Sequence, residues 1–507
     1  MIAAPGSPAA RPATVRSPSE DAAGIVILRC ALFTALLAGL SRTWADPDLW
    51  GHVRFGRDIL AGGIPHADPY SFTSDIPWVN HEWLAEVAMD LAWRAGGPGL
   101  ILLKMGLIGA ALLFAARVLK FDRLVGPPRD LLLFAAIAGM WARVFVIRPQ
   151  IFSVTLFAAV LWILRSAERG RTSRLWLLPV IFAVWVNLHG GWIVGLGVLG
   201  MWSAVEVSPL GRFGIPWRVA VGAMVLSALA TLVNPYGPGM WTFLAGSVGL
   251  NRPNINDWRP LFESGSAVIV PWLISATLAI WAFAHGRRSI PLTHALIVLA
   301  LGVGSIRVNR LDVFFTLSVV MLLAGHLRAG GSQNDAVRRP LWTRRLVAAA
   351  AVAALIAVAV AWSFRSAFTC LRVDGPWMPE REAGQFIVGN QLRGRMLTWF
   401  DWGQYAIWHF DPRIKVSLDG RRETVYSDAF VAAHLQLYFE PASQPDLVRR
   451  LAPDYAWLPA GIPLVAALEG QGWLRAYSGP VSVVLARHAG NATPVAPPTS
   501  PACFPGP

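Results

Sequence analysis

Charge is what this sequence has least of. Only 15% of its 507 residues are Asp, Glu, Lys or Arg, where soluble domains carry about 25%. Hydrophobic residues make up 55% and the mean hydropathy is +0.48. That balance excludes both a solvated globular chain and an intrinsically disordered one. Cysteine is nearly missing as well. Cys30, Cys370 and Cys503 are the whole supply, which rules out a disulfide scaffold. Cys30 lies in an apolar run. Cys370 and Cys503 fall in one predicted compartment, yet two cysteines give no framework signal and no bridge is expected. Lysine occurs only at 104, 120 and 415, so nearly all the positive charge of this +14 chain is arginine. The arginines sit in short clusters between apolar runs rather than on one basic domain, which argues against nucleic acid as a partner. No P-loop, no GxGxxG before a helix, no zinc-type Cys/His spacing and no Gly-x-Ser-x-Gly elbow is present, which argues against a nucleotide-driven cytoplasmic enzyme.

What is there is a series of apolar stretches near the length that crosses a bilayer, about eleven in all. They run over 24–42, 98–119, 130–147, 150–166, 175–189, 191–207, 218–234, 269–285, 290–306, 311–327 and 345–364. The fold class expected is a polytopic α-helical membrane protein. No A-x-A-like cleavage site follows the first stretch, which reads as an uncleaved anchor.

Orientation follows from arginine, because positive residues in short loops stay on the cytoplasmic side. One alternate set of loops holds Arg117, Lys120, Arg123 and Arg129, then Arg165, Arg169, Arg171 and Arg174, then Arg212 and Arg218, then Arg287 and Arg288, then Arg328 to Arg345. That set is read as cytoplasmic. The outer set is then the loop 45–97, the Arg148 turn, the Asn187-to-Gly191 turn, the loop 234–268, the Arg307-to-Arg310 turn and the C-terminal region. In a bacterium this means the plasma membrane, with the N-terminus cytoplasmic and the C-terminal part periplasmic or extracellular.

The expected organisation is a disordered N-terminus over 1–23, a transmembrane region over 24–364, an extracytoplasmic α/β domain over 365–488 and a disordered tail over 489–507. Arg395-to-Phe400, Lys415-to-Leu418, Tyr455-to-Leu458 and Val481-to-Ala486 are strand candidates, with helices between them.

The densest polar cluster opens the first outer loop: Asp46, Pro47, Asp48, His52, Arg54 and Arg57. Two carboxylates at a membrane surface suit a divalent cation, Mg²⁺ or Mn²⁺, or deprotonation of an acceptor. Asp46 followed by Pro47 equally suits helix capping, with Asp48 in the first turn. Further on, Asn80-His81-Glu82-Trp83 starts a helix with Asn80 as cap. His81 and Glu82 lie beside Trp78 and Trp83, where a sugar ring can stack and a carboxylate can bind a hydroxyl or metal. Glu86, Asp90 and Arg94 read as a solvated flank.

The stretch Asp48-Leu49-Trp50-Gly51-His52-Val53-Arg54 resembles the opening of the first outer loop in oligosaccharyltransferase catalytic subunits, which belong to the GT-C superfamily of membrane glycosyltransferases. Gly62-Gly63-Ile64-Pro65 and Asp68-Pro69-Tyr70 are similar to that loop's continuation. Trp399-Phe400-Asp401-Trp402-Gly403 resembles those enzymes' Trp-Trp-Asp-Tyr-Gly motif. The resemblance implies a polyprenyl-phosphate-linked sugar as donor, a glycan, lipid or protein acceptor on the outer face, and Asp48 as catalytic or metal-binding carboxylate supported by Asp46. It assigns Trp399, Asp401 and Gly403 to acceptor recognition; a strand-to-helix turn capped by Asp401 is the plainer reading. An Asp-x-Asp in the second outer loop, which that family carries, is replaced by Arg143, Arg148, Pro149 and Gln150.

Arg148, Arg307, Arg310 and Arg259 are candidate partners for a lipid phosphate, since a guanidinium offers a planar bidentate donor; each equally suits a helix-end charge. His189 reads as a turn residue, and Asp419-Gly420-Arg421 as turn chemistry or a site at a sheet's carboxyl end. The rival to a transferase is a non-catalytic envelope scaffold or a transporter, in which Lys104 and Arg143 would line a path.

Overall fold

A computed structural model of the chain describes residues 39–124, 126–248, 258–286, 289–327, 370–373, 375, 377–488 and 503–506, with scattered positions between 29 and 34 and between 352 and 362. The chain divides into two compact units, one of Met1–Arg42 with Gly331–Ala367 and one of Thr43–Gly330 with Phe368–Pro507. The elements that follow belong to the second. The predicted apolar stretches at 24–42 and 345–364 and the predicted N-terminal disorder over 1–23 lie largely outside the described residues.

Two helices form the first loop, α1 (Leu49–Gly62) and α2 (Trp83–Arg94). The apolar stretches between 98 and 327 are helical. They are α3 (Gly99–Phe121), α4 (Pro127–Val144), α5 (Gln150–Ala167), α6 (Leu178–Trp185), α7 (Trp192–Val207) and α8 (Trp217–Ala230). After the short helix α9 (Gly239–Val248) come α10 (Ser266–Gly286), α11 (Leu292–Arg307) and α12 (Asp312–Leu322). Pro127 fills the first turn of α4, where its missing N–H costs nothing, and Pro216 and Pro291 immediately precede α8 and α11. Among the described residues α3, α5 and α10 are long and apolar enough to cross a membrane, and α7, α8 and α11 are apolar but shorter. α9 is a helix in a segment expected to be loop.

Helix α5 is the centre of the bundle, packed against α3 and α12, and nearly all its residues are buried. Arg143 on α4 reaches across to α12, donating to Asp312 at 3.2 Å and 3.3 Å and to Asn309 Oδ1 at 2.9 Å. Lys104 on α3 donates to the Val144 carbonyl at 2.9 Å. These two cations fasten helix to helix.

The C-terminal region is a five-stranded sheet in the order β2-β1-β3-β5-β4. Its strands are β1 (Gly394–Thr398), β2 (Ile414–Val416), β3 (Tyr455–Pro459), β4 (Leu474–Ser478) and β5 (Ser482–Ala486). β1 runs parallel to β2 and β3, and β5 is antiparallel to β3 and β4. Helix α13 (Arg381–Gly389) leads into β1, α14 (Gly403–Phe410) joins β1 to β2, and α15 (Asp428–Phe439) follows β2. Four strands match the sequence expectation; β4, a largely exposed edge strand reading Leu-Arg-Ala-Tyr-Ser, carries no apolar alternation that would have revealed it.

The sheet shares one core with the first loop. Leu49, Trp50, Val53, Phe55, Tyr70 and Trp78 pack with Trp402, Tyr405, Val416, Tyr426 and Trp457. Cys370 and Cys503 are joined by a disulfide that closes a separation of 133 residues, contrary to the sequence expectation. The pairing depends on the tail folding back, which no spacing rule encodes. Phe504 packs on Trp50, Trp93 and Trp408, and the Pro505 carbonyl accepts from Trp50 Nε1 at 2.7 Å. The tail expected to be disordered over 489–507 is therefore ordered at 503–506; 489–502 lies outside the described residues.

Candidate functional site

The chain entering α1 is held by strand-like bridges from Trp44 to Val146 and to Arg372, and Arg372 pairs in turn with Cys503. Those bridges set Asp46 and Asp48 beside Arg148. Asp48 stands at the N-cap of α1 but makes no side-chain cap bond, and the helix begins at Leu49. Asp46 is no cap either. It is 3% exposed, its carboxylate is paired with Arg148, and its Oδ1 has no hydrogen-bond partner. The capping alternative for Asp46 is thus corrected, and Asp48, expected within the first turn, stands just before it.

Arg148 Nη2 lies 3.9 Å from Asp48 Oδ2. Burial and the neighbouring Asp46 push the Asp48 carboxyl up to about 6, against the pull of Arg148 and His52. Asp401, in the turn after β1, is also raised by burial, with Arg148 opposing.

The sheet closes over this pair from its carboxyl ends, the usual place for a ligand crevice in parallel sheets. Gly420, just after β2, approaches so closely that an added Cβ would collide with Asp48 Oδ1 and lie 2.9 Å from Gln404 Nε2. A Cβ on Gly403 would strike the Leu418 carbonyl, so glycine there lets α14 sit against the end of β2. Gly420→Ala is expected to displace the Asp48 carboxylate. Misplacement of a reacting group by about 1 Å costs roughly 10²-fold in rate; an activity assay beside a thermal melt checks that turnover falls while the fold persists.

Asp419 and Arg421 make that approach possible. Arg421 donates to Asp68 at 2.6 Å and 2.9 Å and to Asp419 at 2.9 Å and 2.7 Å, and Tyr426 OH donates to Asp419 at 2.7 Å. Phe55, Tyr70 and Trp78 surround the guanidinium. Burial opposes ionisation of Asp419, yet Arg421 holds it below the usual carboxylate range.

A second group gathers around Glu82. His52, one turn along α1 from Asp48, lies 3.3 Å from Glu86 Oε1, and Asn80 Nδ2 donates to Glu86 Oε2 at 2.6 Å. Burial disfavours a charged His52, but Glu86 and Glu82 carry it up to about 9, an imidazolium at neutral pH. Glu82 Oε1 lies 3.6 Å from His81 Nε2 and 3.8 Å from His189 Nε2. Arg310 Nη2 lies 3.2 Å from His189 Nε2. His189 Nδ1 receives the Gly191 N–H at 3.0 Å and lies 2.7 Å from Ser153 Oγ. Trp185 Nε1 donates to that hydroxyl at 2.7 Å. Since an arginine only donates, the Arg310 contact draws on the Nε2 lone pair while the Gly191 N–H draws on that of Nδ1, so both ring nitrogens face donors. Burial lowers His189 to about 3, so it stays neutral. Burial also opposes ionisation of Glu82, but His81, His52 and Arg310 hold it below the usual carboxylate range.

No family model matches the chain, and no curated protein matches it. Solved structures do. ArnT from Cupriavidus metallidurans in the apo state superposes with a TM-score of 0.55 at 15% identity, covering 93% of this chain and 99% of that one. The Archaeoglobus fulgidus oligosaccharyltransferase AglB, in complex with an inhibitory peptide and a dolichol-phosphate, gives 0.54 at 11% identity over 86% of this chain and 69% of that one. Mutant arabinofuranosyltransferase AftD from mycobacteria gives 0.51 at 17% identity over 91% of this chain and 41% of that one.

The chain has the GT-C fold. Within this GT-C frame the residues singled out in the sequence sort by place. Asp46, Asp48, Arg148 and Asp401 come together; His52, His81, Glu82 and Arg310 form the adjoining group. Arg54 bonds Asp58 at 2.7 Å and Asp411 at 3.1 Å, tying α1 to the sheet. Trp83 donates to Asn187 Oδ1 at 2.8 Å, fixing the start of α2 to the Asn187 turn. Trp399 packs on Tyr438 at 4.6 Å. Arg307 is exposed at the end of α11. Arg259 lies near the α11–α12 turn, its carbonyl accepting from Asn309 N at 3.1 Å.

Glu86 and Asp90, expected on a solvated flank, are 4% and 0% exposed; α2 lies against α1 along that face, where His52 and Arg57 meet them. Gln404, Glu86 and Gly420 were not picked out as site residues. Only the Gly between Asp419 and Arg421 gave a signal. As a metal site, Asp46 and Asp48 fit poorly. A guanidinium already neutralises Asp46, and among the described residues no three of His, Cys, Asp and Glu converge on one point.

Proposed function

We propose that this chain is a membrane glycosyltransferase that moves a sugar from a polyprenyl-phosphate donor to an acceptor nucleophile on the outer face. The observation that carries the proposal is a half-buried carboxyl at Asp48 with the imidazolium of His52 one helical turn away and Arg148 beside it, inside a GT-C fold. Asp48 takes the proton from the acceptor as its nucleophilic atom bonds to the anomeric carbon. The bond from that carbon to the phosphate oxygen breaks with inversion, and the polyprenyl phosphate leaves. His52, as imidazolium, and Arg310 face the departing phosphate, where positive charge is most effective as negative charge develops. Glu82, held ionised, accepts hydrogen bonds from sugar hydroxyls. The Asp401, Gln404 and Gly420 side receives the acceptor. Two neighbours, AglB and ArnT, are described with dolichol-phosphate and undecaprenyl phosphate bound, which supports a polyprenyl-phosphate partner.

Radiolabel transfer from a panel of polyprenyl-phosphate sugars, in membranes containing the full chain, tests the proposal. Transfer from at least one donor, unaffected by chelator, is expected; no transfer from any donor would overturn it, and loss with chelator would restore the metal reading of Asp46 and Asp48. The pH dependence has a fixed sign. A base at Asp48 works only when deprotonated, so the acid limb of kcat should rise through about pH 6 and vanish in a variant lacking the carboxyl. An acid limb that persists unchanged in the Asp48→Asn variant would show that Asp48 is not the titrating base.

A further inference from the structure

At the other end of the bundle, where α3, α5 and α11 meet the connection between α7 and α8, lies a cavity of about 430 Å³. Its walls carry Arg123, Arg165, Arg169 and Arg212 against only Asp122 and Glu168, with His294 and His326 beside them. Some of this charge is spent on structure. Arg165 bonds Asp122 at 2.6 Å and also pairs with Glu168, and Arg169 bonds Asp122 at 2.8 Å. Glu168 is also met by His294 at 3.0 Å and by Trp202 Nε1 at 3.0 Å. Two features remain unexplained by packing.

The first is Asp122, whose side chain is 3% exposed. Both arginines bind its Oδ1, while Oδ2 has no hydrogen-bond partner. A buried carboxylate oxygen without a donor is costly, and Asp122 is one of the residues that line the cavity. The second is Arg212. Its Nη1 donates to the Ser289 carbonyl at 2.6 Å and its backbone N–H to Glu206 Oε2 at 3.2 Å, but among the described residues its guanidinium meets no carboxylate. Arg123 follows the cap of α3 with φ at 57°, a left-handed position that glycine usually fills. A long cation is kept there at the rim.

We propose that this cavity binds a phosphate ester bearing free hydroxyl groups, with its phosphate on Arg212 and the neighbouring rim arginines and a hydroxyl donating to Asp122 Oδ2. Guanidinium groups suit phosphate oxygens geometrically as well as electrostatically. The position, at the ends of apolar helices and on the side read as cytoplasmic, is where basic pockets meet anionic headgroups. The same chemistry is offered by the headgroup of phosphatidylglycerol and by soluble glycerol phosphate. The inference does not rest on the transferase reading, since the cavity is lined by none of the residues around Asp48.

The test uses the purified full chain, with native mass spectrometry in nanodiscs containing phosphatidylglycerol or phosphatidylcholine and titration with glycerol 3-phosphate in detergent. Retention of phosphatidylglycerol over phosphatidylcholine would support the proposal with a lipid as ligand; saturable binding of glycerol 3-phosphate would support it with a soluble one. Arg212→Ala is expected to weaken the observed binding about tenfold or more. Asp122→Asn should weaken it too, and because that change also touches Arg165 and Arg169, the exposed Arg212 variant is the one that decides. No preference for either phosphate ester, or equal binding by wild type and Arg212→Ala, would overturn the proposal.

Discussion

Replacing Asp48 with asparagine is expected to lower sugar transfer by about 10²- to 10⁴-fold, the range that a positioned general base contributes. Asparagine keeps the size and the position at the start of α1, and the side chain makes no cap bond that would be lost. Stability should move the other way. Asp46 and burial raise the Asp48 carboxyl to about 6, so above that pH the folded protein holds a charge it disfavours, and the cost is present from neutral pH upward. The variant should therefore melt at or slightly above the wild-type temperature at pH 7.5, a difference that shrinks as pH falls below about 6. Lost transfer together with a lowered melting temperature would indicate a structural role instead. Retained transfer would remove Asp48 from the chemistry and return attention to Glu82.

The second large effect concerns Arg421. Its guanidinium is shared by Asp68 from the first loop and Asp419 from the end of β2, both with fully shielded side chains. Arg421→Met would leave two buried carboxylates facing each other without a cation. Breaking a buried pair in this way costs about 3–5 kcal/mol, and the two carboxylates here make the upper end the expectation. Thermal melting and protease sensitivity of the detergent-purified protein should both show it. Arg421→Lys should recover little, because a single ammonium cannot serve both carboxylates through the planar fork. Wild-type stability in Arg421→Met would mean that Asp68 and Asp419 are solvated in solution. A companion change, Asp68→Asn, removes only one carboxylate and should cost less, which separates the charge effect from loss of packing against Phe55 and Trp78.

The helices were legible because apolar runs bounded by arginine clusters and prolines carry their own ends. β1, β2, β3 and β5 were legible from buried apolar cores flanked by turn residues. The edge strand β4 was not, since its side chains face solvent and leave no pattern. Asp48, Asp46, His52 and Glu82 stood out through local density of polar residues after an apolar run. Their partners did not, because they are brought in from far along the chain: Arg148 through a bridge between Trp44 and Val146, Gly420 through a parallel crossover. Glu86 and Asp90 were misplaced for a related reason. A polar stripe on one helix looks solvated until a second helix bearing His52 and Arg57 is known to lie against it. The Cys370–Cys503 bridge was equally invisible, being fixed by the fold rather than by spacing.

The shared core of first loop and sheet has a consequence for protein engineering. Residues 365–488 look from sequence like a detachable outer module, yet Trp50, Phe55, Tyr70 and Trp78 fill the sheet's inner face and Asp68 completes its central ion pair. Expressed alone, that segment would present Trp402, Val416 and Tyr426 to water and leave Arg421 half-paired, so it would be expected to aggregate. A chimera that exchanges the sheet would have to carry the stretch 43–97 and the tail segment around Phe504 along with it. In this chain the folding unit around the sheet is discontinuous, drawn from both sides of the apolar helices in sequence.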